Sequence, residues 1–218
     1  MHSLFDIYEY PDIEELKTIK SLIQNLEWSD GARSNPNNPV KVNKQAYDQA
    51  LSAQIHQGIY KIGSYVNKVI PRRLTPVTFN KYGVGDHYFR HNDSSLMGGE
   101  HQILTHYSHT LFLSDPDEYE GGELRIYVNA VDFIPVKLQF GQFICYPSGV
   151  RHEVMPVTEG ERLGAVWWME SKVISEPVRE CISSITESCS YILDKYKDEH
   201  LIMNLQEVQD RLIRNFSY

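Results

Sequence analysis

In the stretch YFRHNDSS, residues 88 to 95, His91 and Asp93 stand two positions apart after a run of β-forming residues. On an extended backbone, residues i and i+2 project to the same face, so His91 and Asp93 would chelate one cation while Asn92 points away. The pair alone is weak, since a chain with 9 histidines and 29 acidic residues contains such a spacing by composition. His152, 59 residues beyond Asp93, is the candidate third donor, because it opens the strand-like run HEVMPV after the turn YPSGVR. Two imidazoles and one carboxylate on one face suit non-haem Fe(II) and leave three adjacent coordination positions open. A closed structural zinc site would call for a fourth protein ligand, usually a thiolate.

Arg162 follows ten residues after His152, in TEGERLGAVWWME. The tight Glu159-Gly160 turn predicts that its strand pairs beside the His152 strand. A guanidinium facing into an apolar barrel needs an anion, and its fork matches a carboxylate bidentately. The bland alternative is an ordinary salt bridge in an acidic protein. Period-two counting places Trp168 on the Arg162 face and Trp167 on the other, so Trp168 either walls the metal pocket or fills the barrel.

These residues need a scaffold of strands. Between about Pro76 and Glu170 the chain reads as short β-rich runs (PVTFNKY, HYFRH, SHTLFLS, ELRIYV, QFICYP, HEVMPV, LGAVWWME) separated by Gly, Pro, Asp and Ser, the texture of an antiparallel sandwich or barrel. Helical spacing of apolar residues predicts a helix from Asp12 to Trp28, a second over residues 44 to 70 ended by Pro71, and a third opened by Ser175 and Pro177. A shorter one follows from about Leu205 to Asn215. The expected fold class is α+β, a double-stranded β-helix (jelly-roll) core with flanking N- and C-terminal helices. Residues 1–75 would form a helical support region, 76–171 the core and 172–218 a helical extension, together one structural unit.

Composition narrows the partners. A net charge of −8 and a pI near 5.6 argue against holding a phosphate backbone, so nucleic acid is not expected. Three scattered cysteines fit a reducing compartment, and the sequence shows neither a signal-peptide pattern nor a run of about 18 apolar residues. A soluble, cytoplasmic protein with no membrane partner is expected.

The set His91-x-Asp93, His152 and Arg162 resembles the signature of the Fe(II)- and 2-oxoglutarate-dependent dioxygenases, and most closely the PKHD-type hydroxylases related to prolyl 4-hydroxylases. The likeness extends to LEWSDG (26 to 31), VKVNKQ (40 to 45), FNKYG (79 to 83), SHTLFLSDP (108 to 116), YEGGELRI (119 to 126), YPSGVRHEVMPVTEGER and the LQEVQDRLIRNF tail, nearly the whole chain. It implies that His91, Asp93 and His152 hold Fe(II), that 2-oxoglutarate is the cosubstrate, and that Arg162 anchors its distal carboxylate. Dioxygen and 2-oxoglutarate would give succinate and carbon dioxide while an unactivated C–H bond of a prime substrate, such as a peptidyl proline, is hydroxylated. Ascorbate is the further candidate cofactor. Tyr82 in FNKYG matches a tyrosine that hydrogen-bonds 2-oxoglutarate, although a strand tyrosine is more often core. Some animal relatives carry another tyrosine on the strand matching SHTLFLS, where this chain has Leu111 and Phe112, so the grip on the cosubstrate should differ there. The same core also hydroxylates small molecules, and a non-catalytic jelly-roll module with a structural metal is the reading from another class. The remaining histidines, His56, His87, His101, His106 and His109, read as structural, surface or hydrogen-bonded. The loop from Ser94 to Leu104, with its Gly98-Gly99 pair, reads as flexible and placed to fold over a guest.

Overall fold

The computed structural model describes residues 4–34, 41–99 and 102–218. In chain order the elements are β1 (Asp6–Glu9), α1 (Ile13–Ile23), β2 (Ser29–Asp30), β3 (Lys41–Val42), β4 (Lys44–Ala46), α2 (Gln49–Ile59), α3 (Gly63–Val69), β5 (Pro71–Leu74), β6 (Thr78–Tyr82), β7 (His87–His91), β8 (Leu96–Met97), β9 (Ile103–Leu104), β10 (Tyr107–Phe112), β11 (Tyr119–Gly121), β12 (Leu124–Tyr127), β13 (Phe133–Val136), β14 (Gln142–Pro147), β15 (His152–Val154), β16 (Val157–Gly160), β17 (Arg162–Ser171), α4 (Glu176–Lys195) and α5 (Glu199–Phe216).

Two antiparallel sheets face each other, as a jelly roll requires. The major sheet runs β1-β14-β10-β17-β6-β4-β2 with β5 also on β17, and the minor sheet runs β13-β12-β15-β7-β3. Along β17 the side chains alternate. Leu163, Ala165, Trp167 and Met169 join Leu111, Phe143 and Cys145 in a core covered by Leu16, Ile19, Ile23, Ile55, Ile59 and Val69 of α1, α2 and α3. The other face looks into the barrel, where a second core of Phe112, Ile126, Ile144, Val154 and Val157 closes one end. The opposite end stays open as a cavity of about 430 Å³.

Three expectations about helices change. The stretch 44 to 70 is not one helix: β4 precedes α2, and a turn at Tyr60 to Ile62 separates α2 from α3. Ile55, Ile59, Ile62 and Val66 keep a helical spacing across that break, which is why periodicity reads through it. The first helix stops at Ile23, and Leu26 and Trp28 pack on the core from outside it. Residues before 76 also supply strands, since β1, β4 and β5 pair with β14, β6 and β17. Asp12, Asp48 and Asp198 cap α1, α2 and α5 through bonds from Glu15, Leu51 and Leu201 backbone N–H groups. The last of these starts α5 six residues earlier than the apolar pattern suggests.

The Arg162 strand also lies elsewhere than expected. It pairs with β10, β6 and β5 in the major sheet, whereas the His152 strand pairs with β12 and β7 in the minor one. Between them β16 swings over to pair with β11, and Gly160 makes the corner at φ 75°, where a Cβ would come within 2.2 Å of the Glu118 carbonyl oxygen. The turn is a crossover between sheets, not a hairpin.

Candidate metal centre

His91 ends β7 and is the direct cross-strand partner of His152, so sheet register brings the two imidazoles together. Asp93 follows two residues later, beyond the end of the strand. Its Oδ1 lies 3.8 Å from His91 Nε2 and its Oδ2 3.8 Å from His152 Nε2, with all three donors within 4.8 Å of one another and each side chain at most 8% exposed. His91 Nδ1 is 2.7 Å from the Phe89 carbonyl and His152 Nδ1 is 3.0 Å from that of Val150. Each carbonyl accepts a hydrogen bond from Nδ1–H, which leaves the Nε2 lone pairs for a metal. Burial, reinforced by the neighbouring His152, pushes the His91 imidazole down to about 4, so it is the neutral form that ligation needs. The Ser108 hydroxyl donates to Asp93 Oδ2 at 2.5 Å and lies 2.8 Å from that of Ser148, an outer support that fixes the carboxylate. Asn92 turns instead to the Gly149 carbonyl. The donors are two imidazoles and one carboxylate, with no thiolate in the set, and such a set fits Fe(II).

At the inner end of the cavity Arg162 is 2% exposed. The Tyr82 and Phe112 rings each lie 5.2 Å from its guanidinium carbon, its Nε has no hydrogen-bond partner, and no carboxylate among the described residues forms an ion pair with it. A guanidinium held this dry calls for an anion. Tyr82 is the cross-strand partner of Arg162, and burial pushes its phenol up to about 12 against the pull of Arg162. Leu111 faces the outer core and Phe112 the Arg162 end, so the strand that carries them offers Ser108 and Thr110 to the cavity. Trp168 lines the cavity, and among the described residues its buried Nε1–H has no partner.

Three lining residues were not singled out by residue type or spacing, although each falls in a segment that carries the family likeness. Tyr146, edge-on to His152 at 5.1 Å, pairs with Ser108, which pairs with Trp168, so one row of side chains crosses β14, β10 and β17 into the cavity. Only cross-strand register reveals it. Lys41 is the third.

The other histidines lie outside this constellation. His109 is buried on the far face, stacked on Trp167 at 4.7 Å and 3.0 Å from the Tyr65 hydroxyl. His106 Nδ1 accepts from the Ser171 N–H, His56 packs against Trp167, and His87 Nδ1 meets the Gly85 carbonyl. His101 lies outside the described residues. The predicted flexible loop is a hairpin where it is described: β8 pairs with β9, and its base is tied by the Thr105 N–H to the Ser95 carbonyl and the Thr105 hydroxyl to that of Ser94.

Comparison with known proteins agrees with this geometry. Residues 77–170 match the family described as the 2OG-Fe(II) oxygenase superfamily. A PKHD-type hydroxylase of Acidovorax ebreus (strain TPSY) is 31% identical over 214 residues, which cover 93% of this chain and 94% of the relative. The fold recurs in a prolyl hydroxylase from Trichoplax adhaerens, solved with a hypoxia inducible factor oxygen degradation domain peptide fragment (TM-score 0.61, 18% identity, 77% of this chain and 84% of that one). It recurs again in HygX from Streptomyces hygroscopicus, solved with nickel, 2-oxoglutarate and hygromycin B (TM-score 0.58, 14% identity, 80% and 85%). With 31% identity to a PKHD-type hydroxylase over almost its full length, the chain belongs to the 2OG-Fe(II) oxygenase superfamily and is a dioxygenase of the PKHD-type hydroxylase family.

Proposed function

We propose that the protein hydroxylates an unactivated C–H bond of a prime substrate, releasing succinate and carbon dioxide from 2-oxoglutarate, with ascorbate as an accessory reductant. His91, Asp93 and His152 hold Fe(II), and Arg162 receives the distal carboxylate of 2-oxoglutarate. Tyr82 orients that carboxylate and Trp168 walls the space beside the metal. Fe(II), when bound, supplies the activation of dioxygen coupled to oxidative decarboxylation. The protein's own part is geometric: Phe89 and Val150 carbonyls set the tautomers, Ser108 holds Asp93, and the rings of Tyr82 and Phe112 keep water from Arg162. The observation that carries this reading is the buried guanidinium, without a carboxylate partner among the described residues, in the same cavity as the two histidines and the aspartate. A peptidyl residue such as proline is the first candidate substrate, after the relatives. A small molecule is the second, favoured by Leu96 and Met97 of β8 lining the cavity and reducing the room for an extended chain.

The test is incubation with Fe(II), 2-oxoglutarate and ascorbate in the presence of peptide and metabolite pools, with mass spectrometry for a gain of one oxygen. Arg162→Lys should bind 2-oxoglutarate more weakly by about 2 to 5 kcal/mol while keeping its metal, because a point charge does not reproduce a two-pronged contact. Unchanged affinity in a calorimetric titration would leave Arg162 a structural residue.

A further inference from the structure

The closed end of the barrel contains a second phenol besides Tyr82. Tyr119, in β11, is 3% exposed, and its hydroxyl is sealed from solvent with no hydrogen-bond partner among the described residues. A buried hydroxyl in that state calls for a physical reason. Its place follows from the crossover that joins the His152 strand to the Arg162 strand. Tyr119 is the cross-strand partner of Gly160, which precedes Arg162 by two residues. Tyr119 also packs in one buried cluster with Tyr82 and Phe112, the two rings that lie 5.2 Å from the Arg162 guanidinium carbon.

The ring is fixed in that position. A Cβ on Gly160 would come within 2.9 Å of the Tyr119 Cα, and one on Gly122 within 3.1 Å of its Cε2, so both glycines of the crossover ribbon make room for it. The Lys137 ammonium lies 4.0 Å from the ring centroid and donates to the Tyr119 carbonyl at 2.7 Å. That is the use of the two glycines in the YEGGEL and TEGER segments nearest to Arg162: they seat a rigid aromatic side chain beside it.

Arg162 shows the matching deficiency, since its Nε is buried without a partner. Aromatic rings attract a guanidinium through charge and contact, but the direction of its fork is set by oxygen acceptors. Burial raises the Tyr119 phenol above its ordinary value, and Arg162 pulls it back by charge and by a side-chain contact short of a full hydrogen bond. We propose that Tyr119 is a positioning residue for the cosubstrate: its phenol oxygen accepts from the Arg162 guanidinium and so aims the fork that receives the distal carboxylate of 2-oxoglutarate. Tyr119 is not part of the cavity lining, so it acts on the cosubstrate through Arg162. Hydrogen bonds of this kind are commonly misaligned in a free enzyme and tighten when the ligand seats. The inference rests on the reading of Arg162 given above.

Calorimetric titrations of the anaerobic protein loaded with Fe(II) would compare 2-oxoglutarate with 2-oxopentanoate, which has the same chain length and the same keto acid but no distal carboxylate. The wild type should prefer 2-oxoglutarate. Tyr119→Phe keeps the ring against Gly122 and Lys137 and loses only the oxygen. Its affinity for 2-oxoglutarate should fall about tenfold, the scale of one hydrogen bond to a charged group, while its affinity for 2-oxopentanoate and its metal content stay as in the wild type. Tyr119→Met serves as the second variant if the phenylalanine one does not fold. A merely structural role would weaken both keto acids alike, so an equal loss for the two, or an unchanged preference for 2-oxoglutarate, overturns the inference. A wild type that holds no Fe(II), or holds it without that preference, overturns the reading of Arg162 and the inference with it.

Discussion

Asp93 is the only anionic donor of the three, and it is also the one held by a second residue, through the 2.5 Å bond from Ser108. Asp93→Ala should therefore abolish metal binding, whereas Asn92→Ala, whose side chain goes to the Gly149 carbonyl, should keep the metal. Ser108→Ala falls between them, with metal affinity lowered about 10- to 100-fold, as is usual when an outer partner of a ligand is removed. Metal content after dialysis of the three variants side by side checks this order, and normal retention by Asp93→Ala would overturn the ligand set. At this scale the site was legible wherever chemistry and local spacing coincide. His91, Asp93, His152 and Arg162 announce themselves by residue type. Ser108, Tyr146 and Lys41 do not, because serine, tyrosine and lysine are common surface or core residues and become informative only when register turns them into one cavity.

The hairpin β8–β9 beside the candidate metal site is held from below by Glu170 on β17. That carboxylate is buried, accepts from Arg73 at 2.6 Å and from the Leu104 N–H at 3.3 Å, and forms a further ion pair with Arg72 at 3.3 Å. Although burial opposes it, these donors together hold the Glu170 carboxyl below the usual range. Its arginine partners are more than a third exposed, which weakens the pairs. Glu170→Ala should thus destabilise the fold by about 1 to 3 kcal/mol, mostly through the Leu104 N–H and the buried space left behind. Faster hydrogen exchange at residues 102 to 105 with unchanged metal content is the expected signature, and unaltered exchange there would deny Glu170 this role. Helices and central strands could be read from period and terminus signals, as the Asp12 cap shows at the start of α1 and Pro177 in the first turn of α4. The strands β1 to β5 could not. They are two to four residues long, and what makes them strands is a partner far away in sequence, such as Cys145 opposite Asp6.

In the molecule as a whole the major sheet turns one face to the barrel and the other to the helices, and the layers packed on that second face contain histidines that should make the metal-free protein sensitive to acid. Beneath the helices His109 has both ring nitrogens occupied, with Nδ1 3.3 Å from the Trp167 carbonyl and Nε2 3.0 Å from the Tyr65 hydroxyl, an arrangement that suits the neutral ring. Burial pushes it down to about 3, and burial likewise brings His56 and His106 to about 4. In the unfolded chain all three titrate near 6.5, so between about pH 6.5 and 4 the unfolded state binds more protons, and stability falls as the pH falls. Each group contributes at most about 1.4 kcal/mol per pH unit. Their contributions add over this range, with that of His106, the least buried of the three, reduced by solvent screening. Urea unfolding of the metal-free protein should lose stability steadily from pH 6.5 downward. His109→Phe keeps an aromatic ring against Trp167 but loses the Tyr65 bond, so it should be less stable at pH 7 by about 1 to 2 kcal/mol. Below pH 6.5 its slope should be shallower by up to about 1.4 kcal/mol per unit. Parallel curves for the two proteins would mean that His109 accepts its proton without unfolding and that the acid sensitivity lies elsewhere.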